Sequence, residues 1–343
     1  MAVFSFLESE MPSLDIFNDD AFSVTGLTAS INQPIEGQAT NSRLDALFEE
    51  EGITTTAVFI EREADQLYLV PAAERGGPAD PTIADKRDMI PFSTIHLPTR
   101  GTIMADEVQG IRAFGSESEL ESVENMVNKR LLKMRKRLDA TIRYHRVGAV
   151  TGKVYDADGQ RVLLDIYDRF QVQQISVPMG LGTATTKVLA KVSDAKRRAE
   201  DVLGGSGLIT GWIAICGRSF FDDFASHGAV AQAYDRFQEG VFLRTDPRAA
   251  GFLYGGVYWE EFYGKVGAVE FIDTNVAYLI PIVDGLFITR FAPANYMETV
   301  NTLGLPYYSS QEMMRHNKGI DMEAQSNPLN LCTMPRAIIK LTK

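Results

Sequence analysis

Asp106 and Glu107 stand side by side in "TIMADEVQGIRAFG", with Arg112 behind them and glycines at 110 and 115. Two carboxylates beside an arginine could do general acid–base work, provided that they converge on one substrate. Adjacent residues do not converge: they point to opposite faces of a strand and lie about 100° apart on a helix. Glu260 and Glu261, next to Trp259, meet the same objection. "PMGLGTATTK" places Gly180 and Gly182 ahead of a helix, like a shortened dinucleotide fingerprint. The third glycine is missing, and no acidic residue in a clear strand context follows about twenty positions on. A helix-entry turn is the better reading.

Other chemistry is equally thin. "DADG" at 156–159 has the opening of a calcium loop, but the later acidic ligand is absent from its place. His96, His145, His227 and His316 are scattered and make no zinc pair. The sequence holds neither a phosphate-binding G-x-x-x-x-G-K-[ST] nor a nucleophile elbow G-x-S-x-G. The chain is therefore read as a non-enzyme, with no cofactor and no metal site.

The elements that must position these residues come next. With 343 residues, 45% of them hydrophobic, the chain can bury a large core in two or three units. A net charge of −11 argues against a protein that grips nucleic acid through its overall field. Cys216 and Cys332 lack metal-ligand spacing and are expected to be reduced core thiols. The amino terminus has no basic region before its apolar residues, and no apolar run approaches the roughly 18 residues of a membrane span. A soluble protein kept inside a cell is expected.

Residues 1–51 are poor in core-forming pattern and read as an arm that gains order by lying on something else, with a short helix over 43–51 that Gly52 ends. "ITTTAVFIER", "QLYLVPAAER" and "IPFSTIHLP" read as strands of a projecting ribbon, the last closed by Pro98, around the Gly- and Pro-rich "GGPADPTIADKRDM". From about 119 to 146, Leu120, Val123, Val127, Leu131, Met134, Leu138 and Ile142 form one helical stripe. Ser118 and Glu121 offer a capping box. The basic "RLLKMRKR" decorates this helix without the interleaved aromatics of a nucleic-acid site, so it is read as a solvated face. A hairpin pairs 154–155 with 162–167. A second helix spans 185–203 with Val188, Val192, Ala195, Ala199 and Val202 on its stripe, and "LITGWIAICG" is a buried strand. The terminal "MPRAIIKLTK" is expected to return to an earlier sheet near the long helix.

Three separated stretches, "TIMADEVQGIRAFG", "FAPANYMETVNTLGLPYYSSQE" and "MEAQSNPLNLC", resemble the major capsid proteins of tailed phages, in the family of the lambda major head protein, also called the protein E family. The likeness runs in order from about Gly52 to the carboxyl terminus. It implies an α+β chain with the Hong Kong 97 type phage capsid fold. Residues 1–51 would be the N-terminal arm and 52–98 the E-loop, an extended β ribbon. Residues 99–170 would form the peripheral domain with its spine helix, 171–291 the axial domain, and 292–343 the return to the peripheral domain.

The resemblance further implies a major head protein that assembles into hexamers and pentamers of an icosahedral shell around double-stranded DNA. Its acidic balance suits such a container, since a strongly basic wall would hold packaged DNA tightly. Partners would be further copies of itself, a separate scaffold protein, a portal at one vertex and in some cases a decoration protein, with no sequence-specific DNA contact and no membrane. The protein would be made and assembled in the host cytoplasm and end in the virion. Candidate contacts between subunits are Arg75, Gly76, Gly77, Pro78 and Lys86 on the ribbon, and Asp106, Glu107 and Arg112 at the joint before the spine. Some relatives link an E-loop lysine to a neighbour's asparagine. Lys86, the one lysine of the ribbon, sits among Asp85, Arg87 and Asp88, where the unreactive ammonium form is favoured, so no cross-link is expected. A nanocompartment shell and a cytosolic α/β enzyme are the competing readings.

Overall fold

In a computed structural model of the chain, the structure describes residues 22–33, 43–62, 88–109, 119–204, 207–237, 251–266 and 269–343. The first helix, α1 (Val24–Asn32), falls where the sequence promises little. Ser23 caps it by accepting from the Gly26 amide at 3.1 Å, and Leu27 and Ile31, one turn apart, are both buried. The partner that gives it order is the chain's own long helix. Arg135 donates to the Ile31 carbonyl at 2.8 Å and also to that of Gln33, and Ser30 donates to Asn128 at 2.7 Å.

The helix expected over 43–51 is a correction. α2 stops after one turn (Arg43–Ala46), and β1 (Phe48–Gly52) follows as a strand parallel to β14 (Phe287–Phe291). A helix would have crowded Glu49, Glu50 and Glu51 at its carboxyl end, against the macrodipole. A strand sends them to alternate faces instead. Glu49 and Glu51 meet Arg290 at 3.7 and 3.2 Å, and Glu50 meets Arg146.

β2 (Ala57–Arg62) and β3 (Asp88–Ser93) pair antiparallel as the root of the ribbon. "QLYLVPAAER" and the Gly-Pro tip lie outside the described residues. Pro98 does not close a strand: β4 (Leu97–Met104) runs through it. β4 is an edge of the three-stranded sheet β15-β16-β4, and an edge strand can spare proline's missing donor. Its partners are β15 (Tyr308–Met313) and β16 (Gly319–Ser326). α3 (Ala105–Gln109) is a single turn before α4 (Glu119–Thr151).

α4 is the spine, 33 residues and therefore about 50 Å long. Val127, Leu131, Met134 and Leu138 bury against α1, Ile103 and the β16 side chains Ile320, Met322 and Ala324. The expected cap at Ser118 lies outside the described residues. Past Ile142 the helix continues, and Val147, Ala149 and Val150 enter a second core. The spine thus joins two cores rather than backing one.

β5 (Lys153–Tyr155) and β6 (Val162–Asp165) form the expected hairpin, but Asp165 then caps the single turn α5 (Ile166–Arg169), so the strand ends short of Tyr167. After β7 (Ile175–Pro178) comes α6 (Val188–Leu203), which begins three residues later than expected and ends at Gly204 with φ of 56°. α6 buries Val188, Val192, Ala195 and Ala199 on the sheet that holds β8 (Gly211–Cys216). α7 (Arg218–Ser226) and α8 (Gly228–Phe237) follow, then β9 (Phe252–Tyr254), β10 (Val257–Glu261), the small hairpin β11 (Lys265–Val266) and β12 (Val269–Glu270), and β13 (Val276–Ile282).

The central sheet is mixed, ordered β7-β18-β13-β8-β10-β9, where β18 is Ile339–Thr342. Trp259 on β10 is fully buried, its ring 3.9 Å from that of Phe224 on α7. The expectation for the carboxyl terminus is corrected here. β18 inserts between β7 and β13, not into the sheet beside the middle of the spine. Fully buried Ile339 and Leu341 place it in this core. The returning segment is instead divided among three sheets. β15 and β16 pair beside β4, β17 (Pro328–Cys332) beside β14, and β18 in the centre.

Candidate assembly surfaces

The paired acids of the opening motif do not converge. Glu107 receives Arg130 of the spine at 2.7 Å, while Asp106 is exposed beside it. Gly101 allows the approach of β4 to the helix, since a Cβ there would sit 3.1 Å from Arg130 and Met134 side-chain atoms. The motif is a joint between strand and spine. Arg75, Gly76, Gly77, Pro78, Lys86 and Arg112 lie outside the described residues. Glu260 and Glu261 also part company, to Arg43 at 3.3 Å and Arg218 at 3.5 Å. Burial raises the Glu260 carboxyl above its ordinary range, which Arg43 opposes.

The remaining suspects have structural work. Asp158 accepts from the Gln160 and Arg161 amides at 2.8 and 3.0 Å, and those donors hold its carboxyl below its ordinary range. Gly180 adopts φ of 66°, and its carbonyl accepts from Thr186 at 2.8 Å, which makes a turn into α6. Cys216 and Cys332 are free and fully buried, with the Cys332 thiol pushed up to about 12 by burial. Among the described residues, no group of three His, Cys, Asp or Glu side chains could hold a metal, and no helix is long and apolar enough to cross a membrane.

What the surface does offer is apolar side chains on projections held stiffly. On the ribbon, Phe92 is buried and stacks on Phe170 at 5.3 Å, while Phe59 and Met89 remain 58% and 57% exposed. The root of the ribbon is therefore fastened to its own core and still presents apolar surface outward. Beside it runs the loop between β14 and β15, where Met297 is 89% and Leu303 63% exposed, with Val300 and Leu305 also open. That loop is not slack. Ile53 donates to the Phe291 carbonyl at 2.8 Å, and Gly304 donates to the Ile53 carbonyl at 2.9 Å. Thr299 donates to the Ala294 carbonyl at 2.8 Å, and the Tyr308 hydroxyl accepts from the Leu305 amide at 2.9 Å. Gly52 and Gly304 touch so closely that a Cβ on Gly52 would fall 2.1 Å from the Gly304 oxygen.

Met297, Val300 and Leu303 were absent from the expected contact residues. Their signal was present, in apolar residues every third position of a turn-rich stretch, but such a stretch has no period that separates a buried from an exposed face. Exposed apolar residues gathered on a fixed loop are the kind of patch through which proteins associate.

Hydrophobic cores joined by one long helix, a mixed central sheet and a two-stranded ribbon root packed on them define the α+β capsid fold of the Hong Kong 97 type. Solved structures agree. A prophage protein of E. coli CFT073, assigned as a capsid protein, superposes with a TM-score of 0.58 over 93% of this chain and 98% of its own, at 13% identity. The mature capsid of bacteriophage PhiM1 gives 0.51 over 90% and 89%, at 11% identity. In sequence, the chain is 27% identical over 314 residues to the major capsid protein of Pseudomonas phage KPP10, covering 86% of this chain and 89% of that one. It is 26% identical over 327 residues to the major capsid protein of Salmonella phage Felix O1, covering 85% and 89%. The chain belongs to the phage major capsid protein E family, whose profile matches residues 23–343.

Proposed function

We propose that the chain builds the wall of a phage head, closing into hexamers and pentamers of an icosahedral shell around double-stranded DNA. The observation that carries this reading is the pair of fastened surface segments, ribbon root and adjoining loop, which leave Phe59, Met89, Met297 and Leu303 exposed on a chain with filled cores. Head-to-tail contacts of such patches give rings when the rotation closes. Residues 1–51 then act as the arm, 52–98 as the E-loop, 99–170 as the spine-bearing peripheral part and 171–291 as the axial part. Residues 292–343 serve the peripheral part through β15 and β16 and the axial sheet through β18. A scaffold protein, a portal and in some heads a decoration protein complete the assembly, in the host cytoplasm and then in the virion.

The test is microscopy of the purified chain, alone and with a candidate scaffold. Rings, tubes or shells are expected from the wild type. The double variant Met297→Ser, Leu303→Ser should lose them while keeping its unfolding transition, because both side chains are exposed in the single chain. A wild type that stays monomeric at every concentration and salt, with scaffold present, would overturn the proposal.

A further inference from the structure

The spine helix carries a second apolar face that no element of the described chain covers. Ala140 and Tyr144 on α4, with Val266, Val269 and Phe271 across from them, floor a cleft of about 430 Å³. Tyr144 and Phe271 meet at 4.7 Å at its base. Lys133, Lys136 and Arg137 stand on its rim, all exposed and without an ion-pair partner among the described residues. At 100° per residue, positions 133, 137, 140 and 144 form one flank of the helix, whereas Asn128 and Arg135, which hold α1, lie on the far side. An apolar floor under three free cations calls for an acidic segment with large apolar side chains.

Such a segment lies in the same chain. Residues 1–21 hold Glu8, Glu10, Asp15, Asp19 and Asp20 and no lysine, arginine or histidine. Phe4, Phe6, Leu7, Leu14, Ile16 and Phe17 are interspersed among them. The described chain begins at Phe22, which is buried with Val127, Leu131 and Met134 against the same helix. Passing from there to the cleft means about 15 Å along the axis and a similar distance around it. Eight or so extended residues cover that path, at roughly 3.3 Å each. The route crosses Lys129 and the exposed Leu132, which continue the basic and apolar character of the rim.

We propose that the amino-terminal segment, residues 4–14, docks in this cleft of its own chain. Its carboxylates would lie on Lys133, Lys136 and Arg137, and its phenylalanines on the Tyr144–Phe271 floor. Tethering at Phe22 favours this intramolecular partner, since a short flexible link supplies an effective concentration of about millimolar. The docked state keeps the aromatic residues of the segment out of water before any shell exists.

The test uses the full, unassembled chain, so it stands or fails apart from shell formation. A zero-length carbodiimide joins a carboxylate to an amine already in contact with it. Mapped by mass spectrometry on an equal mixture of heavy and light chains, links from Glu8 or Glu10 to Lys133 or Lys136 are expected within one chain. Links confined to other lysines, or found only between heavy and light chains, would overturn the proposal. In parallel, K133E/K136E/R137E should speed chymotryptic cleavage after the phenylalanines of the segment about tenfold, as a lost contact of some 1.4 kcal/mol would. Adding E8K/E10K should restore protection. An unchanged cleavage rate in the first variant would equally count against the docking.

Discussion

Arg146 is the most demanding single residue of the spine. Its side chain is 8% exposed, and it binds Asp45 at 3.0 Å and also Glu50, so one guanidinium fastens both α2 and β1 to the helix. Removing one partner of a buried pair strands the other charge and costs about 3–5 kcal/mol. Arg146→Ala should lose stability of that order in urea. Arg143→Ala, whose side chain is 45% exposed on the same Asp45, should lose under about 1 kcal/mol. The sequence "RYHRVG" does not separate the two arginines, because burial depends on where α2 lands.

His145, one residue earlier, gives the fold a pH dependence. Burial lowers its pKa to about 4, against opposing effects of Asp156 and the Tyr155 carbonyl. The folded state therefore prefers the neutral ring. Its contribution is complete above the unfolded value near 6.5 and is lost as pH falls from there towards 4. The change is on the order of 3 kcal/mol at about 1.4 per unit. Urea midpoints of the wild type and of His145→Gln, taken at pH 7, 5 and 4, should converge as the acid side is approached. Parallel curves would show that the ring has no such effect.

At the scale of elements, what repeats locally was legible and what depends on a distant partner was not. The spine could be read because Val127, Leu131, Met134 and Leu138 recur at helical spacing, and α6 for the same reason. α1 escaped because "VTGLTASIN" has two large apolar residues on its buried face, and their burial exists only against distant parts of the chain, the spine and the β15–β16 sheet. β18 was read as a strand, but the sheet it joins escaped, because strand order is set by pairing between residues sixty positions apart, Leu279 and Ile339, on which local pattern is silent. The joint at Asp106 and Glu107 was read as structural, and Glu107 does pair with Arg130. The exposed apolar loop at Met297 was not singled out in the sequence.

The ribbon supplies the prediction for this scale. Its root is fixed by Phe92 on Phe170 and by Val58, Ile60 and Ile90 on the adjoining core. Residues 75–86 hold one large apolar side chain, Ile83, beside two glycines and two prolines, and so add little to any internal core. Deleting them should leave a soluble chain with a cooperative transition near that of the wild type, yet one that builds no closed shells. Normal shells would contradict the E-loop assignment, and loss of single-chain folding would mean that the cut had entered a domain.

For the whole molecule, the open matter is what holds one copy to the next. Three hydrophobic clusters are filled within the single chain, so a subunit brings to its neighbours exposed patches rather than unfinished cores. Contacts of that kind are individually weak, and a closed shell gains strength because each copy is held at several places at once. Covalent reinforcement has no evident reagent. In the sequence Lys86 stands in "DKRD", and adjacent acids favour the ammonium over the nucleophilic amine. Cys216 and Cys332 are free thiols buried inside the subunit. Mature particles boiled in detergent with reductant should therefore run as single chains of 38.0 kDa. Unboiled shells should come apart cooperatively in denaturant, at a midpoint that rises with protein concentration, as it must when dissociation accompanies unfolding. A ladder of multimers after boiling would show that Lys86 or another amine is activated by a neighbouring subunit, and that the shell is bonded and not merely packed.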